Sequence, residues 1–126
     1  MEKQNILKDK SFAFALRIVK AYKYLAKEKN EYVLSKQLLK CGTGIGALVR
    51  EAEYAQSVPD FINKMSIALK EANETEYWLM LLKESEYIDN DVFSSVIYDC
   101  QELLRLLIST INTSKKKLNK KDIVHR

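Results

Sequence analysis

Leu7, Phe14, Ile18, Tyr22 and Leu25 recur at spacings of seven, four, four and three. That rhythm keeps them on one face of a helix spanning roughly residues 6–28. Phe12, Ala15, Leu16, Val19 and Ala26 widen the stripe, so this first helix is expected to bury a broad face. Its other side is basic, with Lys10, Arg17, Lys20, Lys23 and Lys27, and the polar KEKNE at 27–31 reads as the turn that follows. A second stripe, Leu34, Leu38, Cys41, Ile45, Leu48 and Ala52, predicts a helix over about 32–55. The third helix, about 58–85, opens at Ser57 with Asp60 three residues on and Pro59 in its first turn, an arrangement like a capping box. Phe61, Met65, Ala68, Ala72, Thr75, Leu79 and Leu82 then alternate four and three apart, the seam of a packed bundle, with Thr75 free to bond back to a carbonyl of the preceding turn. Asp89 or Asn90 caps a fourth helix over about 90–113, striped by Val92, Val96, Cys100, Leu103, Leu107 and Ile111 and widened by Leu104 and Ile108. The pattern is that of an all-α protein, an antiparallel up-and-down four-helix bundle over 1–114. The apolar periodicity stops after Thr113, and 115–126 is expected to be a basic, unordered tail.

All three glycines of the chain fall in CGTGIG, residues 41–46, where they alternate with other residues as in a phosphate-binding loop. The second stripe runs straight through them, which a loop would interrupt. No strand precedes them, position 47 is Ala, and no Gly-Lys pair follows, so both glycine-rich phosphate motifs fail. Three glycines within a helix cost about 1 kcal/mol each relative to alanine, and close packing is the natural compensation. Gly42 and Gly46, four apart, are therefore expected to face a neighbouring helix at short range.

With one proline and three glycines among 126 residues, the composition leaves little room for hairpins. No apolar run approaches the roughly 20 residues that cross a bilayer, and MEKQNILKDK is too charged for a secretory segment. The expectation is a cytoplasmic protein with no membrane partner. Cys41 and Cys100 stand alone, without C-x-x-C spacing, and read as buried small apolar residues. The net charge of +4 hides a division. Residues 1–50 hold eleven Lys and Arg against four Asp and Glu, residues 51–114 hold four against twelve, and 115–126 hold six against one. The basic and acidic parts can neutralise each other within the bundle or between subunits. Alternatively, Arg17, Lys20, Lys23, Lys27, Lys36 and Lys40, with Lys115, Lys116, Lys117, Lys120 and Lys121, form a surface for nucleic acid.

Catalytic chemistry is hard to assemble from these residues. The single histidine, His125, lies in the tail, so a serine or cysteine nucleophile lacks a base. Glu71 and Glu74 have the i, i+3 spacing of a di-iron helix but no histidine, Glu76 stands on another side, and two cysteines are too few for structural zinc. The sequence therefore predicts no catalytic residue, no metal and no cofactor, and Glu71, Glu74 and Glu76 read as ion-pairing or inter-subunit residues.

The run GTGIGALVREAEYAQSVPDFINKMSIALKEANETEYWLMLLKESEYI resembles the bacterial four-helix proteins named after the intervening sequence of 23S ribosomal RNA. In that family a Q-L-x-R-S stretch leads into a small-residue segment ending S-I-G-x-N-x-x-E-A, followed by S-x-x-D-F and further acidic and basic positions. Here Gln37-Leu38-Leu39-Lys40-Cys41 takes the first place, and Ile45, Gly46, Glu51, Ala52, Ser57, Asp60, Phe61, Lys64, Glu71, Glu74, Thr75 and Glu76 match. Gly44 stands where serine is common and Leu48 where asparagine is usual, so no role of those polar groups carries over. The resemblance implies an antiparallel four-helix bundle, a ring-shaped homo-pentamer, and a shared polar cluster of Glu51, Asp60, Lys64, Glu71, Glu74 and Glu76. It also implies an RNA- or DNA-binding adaptor role, since relatives include accessory proteins that assist a reverse transcriptase. Two functions stay open: a nucleic-acid-binding oligomer, and a structural oligomer whose partner is another protein.

Overall fold

A computed structural model describes residues 2–125, with side-chain surroundings for residues 6–120. Four helices follow one another: α1 (Glu2–Glu28), α2 (Leu34–Ala52), α3 (Val58–Glu84) and α4 (Asn90–His125). Each packs on its neighbours in sequence and α4 closes back on α1, so the chain is an up-and-down bundle in which, among the described residues, no Cα atoms of diagonally opposed helices lie within 8 Å. None of the helices, among the described residues, is long and apolar enough to cross a membrane.

The core forms where the stripes meet. α1 contributes Leu7, Phe14, Ile18 and Leu25, and α2 contributes Leu38, Cys41, Ile45, Val49 and Ala52. The α3 seam is buried from Met65 to Leu82, including Thr75, whose hydroxyl donates to the Glu71 carbonyl at 2.7 Å. Val96, Cys100, Leu103, Leu107 and Ile111 complete it from α4. Several positions differ from the expected stripes: Val49 rather than Leu48 is fully buried on α2, Tyr22 is only half-buried on α1, and Val92 and Ile108 are exposed on α4. The broad face expected of α1 is not buried within the chain. Phe12 and Leu16 remain 58% and 52% exposed, because α2 and α4 flank the core stripe and leave the outer face uncovered.

The connections are set by local chemistry. Ser57 accepts from the Asp60 N–H at 3.1 Å, while the Asp60 carboxylate accepts from the Gln56 N–H at 3.2 Å, so the reciprocal bond lands one residue before the usual place. Asp89 accepts from the Val92 N–H at 2.8 Å and caps α4. At the start of α2 the cap comes from a different kind of residue. Val33 offers no side-chain acceptor, and Glu31 accepts from the backbone N–H groups of Val33, Leu34 and Ser35 instead. The residues that close α1 and α3 include Asn30 and Glu86 in the left-handed region, at φ 51° and 66°.

The expected boundary at Thr113 does not hold for the backbone. α4 continues as helix to His125, where the end of the apolar pattern predicts an unordered tail. The apolar stripe ends because the bundle ends; helix formation continues because unbranched side chains such as lysine favour it. The side chains of Lys121 and His125 lie outside the described residues.

Candidate nucleic-acid interface

The close helix contact is where the glycines stand. A Cβ on Gly42 would come within 2.8 Å of Ile18 Cγ1 on α1, and one on Gly46 would meet the Ser11 carbonyl oxygen at 3.4 Å. Gly44 faces α3, with Glu71 Oε2 3.5 Å from the position its Cβ would take. CGTGIG is continuous helix, drawn close to α1 on one side and α3 on the other.

That close packing fixes how the basic residues of α1 and α2 are displayed. Lys20, Lys23 and Lys27, three and four apart, share one exposed face of α1, and Lys36 and Lys40, four apart, share an exposed face of α2. None of the five has an ion-pair partner within 4.0 Å among the described residues. Arg17 is placed differently. Its guanidinium holds Asp99 at 2.6 Å and donates to the Ser95 hydroxyl at 2.9 Å, joining α1 to α4. Lys10 reaches Glu102 at 3.1 Å across the same seam, and Lys8 reaches Glu53 at 3.1 Å beyond α2. The basic first half is thus partly neutralised within the chain, by Asp99, Glu102 and Glu53. Beside the Arg17 contact, Lys20, Ala21, Tyr24, Val92 and Val96 line an open cleft of about 610 Å³.

The six residues of the expected polar cluster do not converge. Asp60 caps α3, Glu51 is exposed near the end of α2, and Lys64 is half-buried on α3. Glu74 accepts from the Trp78 indole N–H at 3.3 Å, whereas Glu76 faces α4 and accepts from Gln101 at 3.4 Å. Glu71 lies beside α2. Burial raises its carboxyl above the ordinary value, the Glu74 charge adds to this, and Lys40 works in the opposite sense. Cys41 and Cys100 are buried, as expected. Burial pushes their thiols up to about 11 and about 12, leaving them protonated and unreactive at neutral pH.

Two contributors are absent from the sequence-based expectations. Glu31 looks like part of a polar turn; the signal that could have found it is its place two to four residues before three uncapped amides. Arg105, exposed on α4, sits among acidic and apolar neighbours in sequence and acquires basic company only because the helix continues to Lys116.

A family model described as 23S rRNA-intervening sequence protein matches residues 3–109. Among solved structures, the chain is similar to the crystal structure of a protein of unknown function from the S23 ribosomal protein family of Bacteroides thetaiotaomicron VPI-5482. The two are 58% identical with a TM-score of 0.87, over 87% of this chain and 98% of that one. No curated protein matches the sequence.

Proposed function

The chain belongs to the 23S rRNA-intervening sequence protein family, and from that premise we propose that it is a non-enzymatic oligomer that binds RNA or DNA as an adaptor. The observation that carries this reading is the division among its cations. Lys8, Lys10 and Arg17 are engaged by carboxylates of the chain, while Lys20, Lys23, Lys27, Lys36 and Lys40 stand exposed without an ion pair among the described residues. Exposed lysines at helical spacing are suited to phosphate contacts, whose affinity arises from counterion release and carries little sequence information. In a homo-oligomer, with a pentamer as first choice and a dimer as the alternative, each contact is repeated by every subunit, and weak contacts sum to useful avidity. The adaptor's second partner is a protein, a reverse transcriptase or another, in the cytoplasm.

The competing reading is a structural oligomer without nucleic acid, favoured by the exposed apolar side chains Phe12 and Leu16 on the same helix as the lysines. One experiment separates them: reversal of Lys20, Lys23 and Lys27 to glutamate, with oligomer mass and RNA affinity both measured. Loss of affinity with the mass unchanged supports the binding face. A wild-type protein with no affinity for RNA or DNA at low salt, or a reversal that only dissociates the oligomer, overturns it.

A further inference from the structure

The last stretch of α4 has a feature that the lysines of α1 and α2 do not: it projects. Ile111 is the last buried residue described on the helix, and from Asn112 to Lys120 every side chain is exposed or half-exposed. At 1.5 Å per residue those nine positions carry the helix about 14 Å past the core. This arm also lies beyond residue 109, where the family match ends.

The arm continues a polar strip that begins on the bundle. Arg105, Ser109, Asn112, Lys116 and Lys120 follow at spacings of four, three, four and four, so they share one side of the helix. Arg105, Ser109, Asn112, Thr113 and Lys116 line a shallow groove of about 480 Å³ with Ile108. Arg105, Lys116 and Lys120 form no ion pair among the described residues. Arg105 and Lys120 are separated by about 22 Å of helix. Along that length a duplex presents about 13 phosphates. The strip alternates cations with hydroxyl and amide groups, the mixture that protein surfaces direct at phosphate and sugar.

We infer that the strip Arg105–Asn112–Lys116–Lys120 docks on the backbone of a nucleic-acid duplex; this rests on the nucleic-acid reading above and locates a second contact surface for it. A lipid surface would require an apolar face along the arm, and between Asn112 and Lys120 the sole apolar residue is Leu118. A single strand would call for aromatic side chains on which bases stack, and that stretch has none.

The test uses the full chain and a labelled 20-base-pair DNA duplex, with anisotropy titrations from 50 to 200 mM salt. Replacing Arg105, Lys116 and Lys120 together by glutamine is expected to flatten the plot of log affinity against log salt by about 2.7 for each arm that engages the duplex, roughly 0.9 for each phosphate that is no longer neutralised. Restoring charge with Lys116→Arg and Lys120→Arg beside the native Arg105 should return the slope to that of the wild type. Circular dichroism establishes that helix content is unchanged, as exposed glutamines on a helix permit. If the wild type binds duplex and the triple glutamine variant keeps its slope, the arm does not touch the duplex, while the reading based on α1 and α2 stands. Absence of wild-type binding at 50 mM salt overturns both. Equal or tighter binding to the single strand, or to phosphatidylserine vesicles, overturns the assignment to a duplex.

Discussion

Gly42 and Gly44 lie two residues apart in α2 and answer to different neighbours. At Gly42 an added methyl would meet Ile18 Cγ1 at 2.8 Å and Cγ2 at 2.9 Å, and Ile18 is fully buried and branched, so it has no free direction in which to swing. Overpacking of this kind costs about 1–3 kcal/mol, more than the roughly 1 kcal/mol that alanine gains over glycine in a helix. At Gly44 the nearest atom is a carboxylate oxygen at the far end of Glu71, at 3.5 Å, which is ordinary contact. Gly42→Ala is therefore expected to lower the urea midpoint and Gly44→Ala to raise it, by up to about 1 kcal/mol. Two increases of equal size would show that α1 yields easily. Gly46→Leu should cost about 1–3 kcal/mol, since its Cβ already reaches the Ser11 carbonyl and the remaining carbons have to pass it. The unbroken three-four rhythm made the helix and its close packing legible from the sequence. It could not tell that Gly42 is the tight position, Gly46 the looser one and Gly44 a neighbour of α3, because the identity of the facing atom is a property of the assembled bundle.

At the scale of the helix, two ends depend on single residues. Glu31 is buried, yet its carboxyl lies below the ordinary value. Burial by itself would raise it, and the donors from Ser35, Leu34 and Val33 more than offset that. Glu31→Ala removes the cap of α2 and should cost about 0.5–2 kcal/mol. Because the folded value is depressed, this contribution is fully present above the unfolded value near 4.3 and is lost as pH falls through the folded one. The stability gap between wild type and Glu31→Ala, measured by denaturant titration, should be constant from pH 6 to 7 and narrow as pH falls below the unfolded value of about 4.3. At the end of α3, Glu86 holds a left-handed φ of 66°, a conformation that costs a side-chain-bearing residue roughly 1–2 kcal/mol. Glu86→Gly should raise stability by about 1 kcal/mol; a fall in the midpoint would mean that the side chain contributes more than the backbone loses. Ser57 and Asp89 were readable as caps because serine and aspartate are the usual acceptors there. Glu31 was not, since a glutamate acting from outside the helix leaves no comparable signature. The continuation of α4 is not legible for a related reason: apolar periodicity reports burial, and a lysine-rich segment is able to remain helical after burial ends.

For the whole molecule, the pairing of Arg17 with Asp99 joins residues 82 apart in sequence, a contact that no local pattern announces. It turns one predicted nucleic-acid contact into a clasp between α1 and α4, and it uses up part of the charge asymmetry that separates the two halves of the chain. What is left over is a surface with two characters. Phe12 and Leu16 are exposed on α1 among lysines, and Met80 and Ile108 are exposed on α3 and α4, Met80 beside the carboxylates of Glu76 and Glu84. Contact between an α1 face of one copy and an α3–α4 face of the next would cover both sets at once and place opposite charges together. Such an interface is heterologous, and it closes into a ring when the rotation between copies permits. The expected result at low micromolar concentration is a light-scattering mass that is a multiple of 14.6 kDa. Phe12→Asp combined with Leu16→Asp should reduce that mass to a single chain while the far-ultraviolet dichroism per residue stays the same, because neither side chain is part of the core. Salt distinguishes the source of the cohesion. An association held mainly by apolar contact survives 0.5 M sodium chloride, whereas one held by exposed charges weakens as the screening length shrinks well below 10 Å. A wild-type mass of one chain would leave Phe12 and Leu16 as ordinary exposed apolar residues and remove the oligomer from the functional reading.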